Sequence, residues 1–296
     1  MYYYFDYEEP VFRPPSEASS LIFQITVGCS QNNCTFCGMY KMKAFRCRSI
    51  DDIAADIESI PVDHRQYVKR IFLADGDALV YPQQGLVAIL EMLADKFPRL
   101  ARIGIYASPN SLKIKSVEEL KVLREKKVRI LYFGLESGDD QTLNKVRKGY
   151  SSAEMLSQCR KAQDAGLKLS VTAILGLAGR DRSQEHAEAT AAWITELSPE
   201  YFSLLTLFAR HNEEFFKNVT RQSRGEILEE TLQIVQNLHP GRTILRSNHA
   251  SNFLNLAGSY PKDRERLITD TEQAIVAARK HPDWYNQVPD YTEEYY

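Results

Sequence analysis

A chain of 296 residues with 37 Lys and Arg against 39 Asp and Glu carries a formal charge of −2, so it exerts no long-range pull on nucleic acid or an anionic membrane. Its composition, 44% hydrophobic and 26% charged, is that of a globular protein. No window has the apolar run needed to cross a bilayer, and the first residues show neither the basic nor the apolar region of a secretory signal, so a cytoplasmic location without membrane partners is expected.

Short β-rich runs alternate with amphipathic stretches along the chain. Residues 21–27, rich in Ile, Phe and Val, predict a strand ending at Gly28. Ser49 is a suitable N-cap for the next helix, with Asp51 and Asp52 in its first turn and Ile50, Ile53, Ile57 and Ile60 on one face. Arg70–Ala74 predicts a second strand, followed by a helix lined by Leu86, Ile89, Leu90, Leu93 and Phe97 that stops at Pro98. Arg102–Ala107 reads as a third strand, and Ser116 with Glu119 forms a capping box for the helix carrying Leu120 and Leu123. Residues 129–135 predict a fourth strand, and Ser151 with Glu154 caps a helix that stops at Gly166. Residues 169–175 and 201–208 predict strands five and six, followed by helices near 184–197 and 225–238. Residues 243–246 add a seventh strand, 261–279 a closing helix, and the Tyr-rich ends, including Tyr291, Tyr295 and Tyr296, read as surface arms.

Six strand–helix units in series imply an α/β fold with a parallel sheet and right-handed crossovers. Six are fewer than the eight that close a full barrel, so an open partial (β/α)6 TIM-like barrel is expected, with a short C-terminal strand/helix extension. A doubly wound open sheet is the alternative. The expected division is an N-terminal arm over 1–20, the barrel over 21–240 and an extension over 241–296. In either architecture the loops after the strands' C-terminal ends form the site.

Of the five cysteines, Cys29, Cys34 and Cys37 fall within nine residues, directly after the first strand. Clustered thiolates in a reducing compartment read as metal binding rather than a disulfide framework, and soft donors at this density select iron–sulfur clusters or zinc. Three ligands on a four-iron cluster leave one iron open. A zinc site with Cys47 as fourth ligand competes, but zinc usually takes two close pairs of ligands, and Cys47 stands alone between Arg46 and Arg48.

The Cys-x4-Cys-x2-Cys spacing, with Phe36 before the last cysteine, resembles the cluster loop of radical S-adenosylmethionine enzymes, whose commonest first gap is three residues rather than four. Other loops match in order. Asp75-Gly76-Asp77 sits where those enzymes carry a Gly-Gly-Glu motif that holds the cofactor's methionine amino group; Gly76 permits close backbone approach, and the two carboxylates add negative charge. Glu136, in Gly134-Leu135-Glu136-Ser137-Gly138, resembles the ribose-binding carboxylate. Twelve residues on, Lys148 lies where relatives place a cation for the cofactor's carboxylate, with neighbouring Arg147 as the substitute. Leu177, in the stretch 173–179, falls in the adenine-packing loop, and Ser108 is a further cofactor candidate.

The resemblance spans about residues 21–279, and its stand-alone subgroup is akin to the elongator catalytic subunit, the methylthiotransferases and oxygen-independent coproporphyrinogen dehydrogenase. It implies a 4Fe–4S cluster on Cys29, Cys34 and Cys37, and S-adenosyl-L-methionine cleaved reductively to methionine and a 5′-deoxyadenosyl radical. That radical takes hydrogen from a small-molecule substrate. An electron donor such as flavodoxin or ferredoxin and sensitivity to oxygen are implied with it. The alternatives are radical modification of tRNA, disfavoured by the lack of a basic excess, and a non-catalytic redox sensor. Candidates for reaching the substrate are His249 and Asn248 on the loop after the seventh strand, Arg210 with His211 after the sixth, and Cys47 as a radical relay; a plain turn, a solvated basic pair and a spectator thiol are the respective alternatives. Cys159 shares a helix face with Met155 and Ala162 and reads as a small buried residue.

Overall fold

The Ile, Phe and Leu runs that predict strands are buried because helices cover the faces of a parallel sheet. The computed structural model describes residues 5, 7–208 and 213–290, which divide into two units. The first holds the described residues up to Asn32, Met39–Phe133 and Gln158–Leu169; the second holds Asn33–Gly38, Gly134–Ser157 and the described residues from Ser170 on.

In the first unit the strand expected over 21–27 is two, β1 (Leu21–Gln24) and β2 (Thr26–Val27). The break has a local cause. Ile25 donates its N–H to Ala74 O (2.8 Å) and accepts from Arg48 N (3.0 Å), so the chain changes partners there. Beyond it, β2 pairs antiparallel with β3 (Arg46–Cys47). Next come α1 (Ile50–Ser59), capped by Ser49 on Asp52 N, α2 (Val62–Arg65), β4 (Arg70–Ala74) and α3 (Gln83–Lys96). They are followed by β5 (Arg102–Ala107), α4 (Pro109–Ile114), α5 (Val117–Glu125) and β6 (Val128–Glu136), whose last three residues enter the second unit. Strands β1, β4, β5 and β6 pair in parallel in that order, and α3 packs against α1 and α5. Ile71, Leu73, Ile103 and Ile105 are fully buried, as are Leu86 and Leu90 on α3. Each such side chain contributes roughly 1.5–3 kcal/mol relative to exposure. Residues 7–20 are packed rather than arm-like: Tyr7 donates to Ile22 O (2.7 Å), and buried Glu17 pairs with Arg102 (2.7 Å).

The second unit continues with α6 (Asp140–Lys145) and α7 (Ser152–Asp164), which Ser151 and Glu154 cap reciprocally; its last residues return to the first unit. Then come β7 (Lys168–Leu175), α8 (Ser183–Leu197), β8 (Tyr201–Thr206), α9 (Glu213–Lys217), α10 (Arg224–Asn237) and β9 (Thr243–Ser247). The chain closes with β10 (Leu256–Tyr260), α11 (Arg264–Arg279) and α12 (Pro282–Asn286). Strands β7, β8 and β9 are parallel. The sixth expected strand ends at Thr206, not 208, where its N–H is taken by Asn252 Oδ1 (2.7 Å). Strand β10, which the sequence reading did not anticipate, pairs antiparallel with β9. Helix α10 packs against α8, α11 and α12, and a small core of Leu228, Ile275 and Ala278 is sealed by Phe253 and Trp284. The residues Arg210, His211, Tyr291, Tyr295 and Tyr296 lie outside the described ones.

Candidate active site

The cysteine loop is shared out: Cys29 belongs to the first unit, Cys34 and Cys37 to the second. Within neither unit alone do three or more metal-ligating side chains gather among the described residues. The loop starts at Gly28, which turns at φ +74 and donates its N–H to Asp75 Oδ2 (3.1 Å). Cys34 is buried, Cys29 and Cys37 half-buried.

In the first unit the start of this loop is tied to the turns after β4 and β5. Ser30 Oγ donates to Asp77 Oδ2, and Asn110 Nδ2 donates to Ser30 O (3.2 Å) and Oγ (3.0 Å). Asp77 also accepts from Ser108 N (3.0 Å) and Ser108 Oγ (2.7 Å), while Ser108 caps α4. Asp77 is fully buried, and burial pushes its carboxyl up, opposed by the donors of Ser108, Ser111 and Ser30. Both its oxygens are occupied by protein donors, so it fastens three loops together instead of presenting bare charge to a ligand. Gly76 is pressed against the loop: a Cβ there would lie 2.6 Å from the Tyr40 ring and 3.0 Å from Cys29 Cβ. The space beside its Cα is taken by the protein's own Tyr40 and Cys29.

Asp75 is buried as well, with Oδ2 accepting from Lys43 Nζ (2.9 Å) and Gln24 Nε2 (2.8 Å) besides Gly28. Burial raises its carboxyl, against the pull of Lys43. Its Oδ1 has no partner among the described residues. Lys43, not among the expected site residues, had one available signal: a lysine shortly after the cysteine loop.

In the second unit the other end of the loop is tied to the turn after α6, where Thr35 N donates to Val146 O (3.0 Å). Two residues on, Lys148 Nζ meets Glu136 Oε1 at 2.9 Å, and both side chains are largely buried. The two residues assigned from the sequence to the ribose and the carboxylate are therefore partners. Arg147, the substitute for Lys148, points elsewhere; it is exposed, pairs with Glu214 (3.1 Å) and lines a small cleft with Thr35, Lys145 and Phe215. Glu136 adopts φ +67, a left-handed conformation that is costly for a side-chain-bearing residue. Its carboxylate folds back over Gly134, where an added Cβ would lie 2.1 Å from Oε1. Leu177 is buried in the turn after β7, which begins at Gly176 with φ +81.

The remaining candidates separate. Phe36 is buried in the cysteine loop. Cys47 is exposed on β3 opposite Thr26. Cys159 is fully buried and its thiol strongly raised, which fits the apolar reading. His249 is half-buried, burial holds its imidazole below the ordinary value, and Nδ1 contacts Ser251 Oγ (2.8 Å). Asn248 is exposed on the same turn.

The donor set fits a cluster rather than zinc: three thiols stand in one nine-residue loop, and the next cysteine lies on a separate strand. Comparison with known proteins agrees. The tRNA-2-methylthio-N(6)-dimethylallyladenosine synthase of Aromatoleum aromaticum is 27% identical over 197 residues, 62% of this chain and 43% of its own. The heme chaperone HemW of Bacillus subtilis is 24% identical over 161 residues, 53% of this chain and 41% of its own. The matched stretch thus spans less than half the length of either relative. Coproporphyrinogen III oxidase (HemN) from Escherichia coli, described as a radical SAM enzyme, superposes with a TM-score of 0.54 at 18% identity, covering 73% of this chain and 52% of that one. The likeness shows the fold, an α/β TIM-like partial barrel. A family model described as the Radical SAM superfamily matches residues 23–194, more than half of the sequence, and the chain belongs to that superfamily.

Proposed function

We propose that this radical SAM enzyme acts on a small-molecule substrate, with Cys29, Cys34 and Cys37 holding the family's 4Fe–4S cluster and the turns at Gly76, Glu136–Lys148 and Leu177 holding S-adenosyl-L-methionine. The observation that carries the reading is the largely buried Glu136–Lys148 pair, with Glu136 held in a left-handed conformation. A carboxylate and an ammonium kept together away from water suit a ligand that is itself zwitterionic and bears ribose hydroxyls. When bound, the cluster supplies the electron that splits the sulfonium to methionine and a 5′-deoxyadenosyl radical.

The chain's own part is orientation and exclusion of water. Lys148 offers ammonium donors to the cofactor's carboxylate, and Glu136 accepts from its hydroxyls. The Gly76 turn brings backbone to the methionine end, and Leu177 supplies an apolar neighbour for adenine. An acidic one-electron carrier, flavodoxin or ferredoxin, and a cytoplasmic setting belong to the same proposal.

Modification of tRNA is the second reading, favoured by the named activity of the Aromatoleum relative and opposed by a charge of −2. The test is anaerobic reconstitution with iron and sulfide, followed by dithionite and S-adenosylmethionine, with 5′-deoxyadenosine read by mass spectrometry. Product whose yield is indifferent to bulk tRNA supports the proposal. A yield that rises with tRNA moves the reading to the second, and no product with one zinc bound overturns both.

A further inference from the structure

The turns after β6 and β7 share a buried polar axis that lies wholly in the second unit. His186 on α8 is fully buried, with Nδ1 2.8 Å from Ser137 Oγ. Ser137 follows Glu136 directly, and its Oγ also accepts from Asp139 N (3.0 Å). The opposite ring nitrogen, Nε2, stands 3.6 Å from Glu230 Oε1 on α10. That carboxylate is fully enclosed: Oε1 accepts from Gly176 N (2.8 Å), and Oε2 from Ser183 Oγ and Gln222 Nε2 (3.0 Å). A carboxylate facing Nε2 favours the tautomer with the proton there, leaving Nδ1 to accept from the Ser137 hydroxyl.

Helix α8 grips the same turn twice more. Thr190 Oγ1 accepts from Gly138 N (2.9 Å), and Gly138 lies so close that a Cβ would come within 2.3 Å of Ala189 O. Arg182, the residue before α8, binds Asp139 through Nε (3.1 Å) and Nη2 (3.0 Å). The residue held in the left-handed conformation, Glu136, is therefore followed by three residues each fastened to α8 or its N-cap. The Gly176 turn is fastened to Glu230, which faces the same imidazole.

We propose that His186 and Glu230 are positioning residues that hold the Glu136 turn and the Gly176 turn in one fixed arrangement for S-adenosylmethionine. Neither touches the cofactor. His186 acts through Ser137 on the backbone of Glu136, and Glu230 acts through Gly176 on the loop bearing Leu177. The inference rests on the reading of those two turns as cofactor-binding.

The test measures the affinity of the anaerobically reconstituted protein for S-adenosylmethionine by calorimetry, alongside iron per chain and thermal unfolding. His186→Leu weakens binding about tenfold, the range found when a supporting partner of a ligand-holding group is lost, while iron content stays at the wild-type value. His186→Asn, whose amide can still meet Ser137, recovers most of the affinity. Glu136→Ala is the control on the underlying reading. If Glu136→Ala binds like wild type, the loop assignment itself fails. If Glu136→Ala weakens binding and His186→Leu does not, the positioning role is overturned. Should His186→Leu fail to fold, Ser137→Ala, which removes a single hydroxyl, decides: weaker binding at unchanged iron supports the role, and wild-type affinity overturns it.

Discussion

Replacing Gly134 with Ala displaces the Glu136 carboxylate without touching Glu136 itself. Gly134 and Glu136 are two residues apart on β6, so their side chains share a face, and the Glu136 carboxylate occupies the space a Cβ at 134 would need, 2.1 Å from Oε1 and 3.0 Å from Cδ. An ordinary carbon–oxygen contact is more than 3 Å, so the carboxylate must move by about 1 Å or more. The backbone is not strained, since Ala suits a strand at least as well as Gly, so the stability loss is that of the displaced Glu136–Lys148 contact, at most roughly 1.5–3 kcal/mol. The 2.9 Å contact with Lys148 is then lost or rebuilt elsewhere. On the proposed assignment the displaced Glu136 also no longer accepts from the cofactor's hydroxyls, a charged hydrogen bond of roughly 1.5–3 kcal/mol, so affinity for S-adenosylmethionine falls about 10- to 100-fold. Calorimetry on reconstituted protein, with iron analysis and a melting curve, reads all three quantities. Wild-type affinity would refute the placement of the cofactor beside Glu136.

Single Cys29→Ala, Cys34→Ala and Cys37→Ala variants each lose most of the about four irons of a reconstituted cluster, whereas Cys47→Ala and Cys159→Ala retain them; iron and sulfide analysis decides, and retention by any of the first three removes that residue from the ligand set. Gly76→Ala forces a Cβ to within 2.6 Å of the Tyr40 ring and 3.0 Å of Cys29 Cβ, which costs roughly 1–3 kcal/mol. Its melting temperature and cluster yield fall together, and an unchanged melt contradicts the close packing. Burial holds the imidazole of His186 below its ordinary value, so from about pH 6.5 down to its lower folded value the unfolded chain binds a proton that the native one does not. Stability is therefore full above that range and lost as pH falls, with a slope of at most about 1.4 kcal/mol per pH unit for this group. His249 adds in the same direction, so His186→Asn flattens the profile without abolishing it. Denaturant unfolding across pH 5.5–7.5 measures it, and identical slopes would show that folding does not lower the His186 imidazole.

Much of the architecture was legible because its determinants are local. The boxes Ser116–Glu119 and Ser151–Glu154 cap the helices they announced, and the buried runs at Arg70–Ala74 and Arg102–Ala107 are strands with those bounds. The break at Ile25 was not legible, since it depends on Ala74 and Arg48 offering better partners than continued pairing would. Nor was the use of Asp77. A carboxylate in an Asp-Gly-Asp turn reads as available charge, and only the meeting of Ser30 and Ser108, 47 and 31 residues away, shows it fully engaged. Ser137, His186 and Glu230 left even less trace. They lie on three separate elements, and a single His or Glu on an amphipathic helix has no pattern that distinguishes a buried partner from a solvated one.

The supports of the cysteine loop bear on how its chemistry can coexist with a stable chain. A small metal-folded domain draws its shape from its ligands, because little else orders the loop before the metal arrives. Here the loop has attachments that involve no sulfur. Gly28 is held by Asp75, Ser30 by Asp77 and Asn110, and Thr35 by Val146, and each anchor is seated on a strand end or helix whose own packing is apolar. Part of the ordering cost of the loop, about 1–2 kcal/mol per residue, is thus offset by bonds that involve no sulfur. On the proposed assignment the sulfurs are left to hold a cluster, and a cluster held by three of them would keep one iron for an exchangeable ligand without the fold depending on that fourth bond.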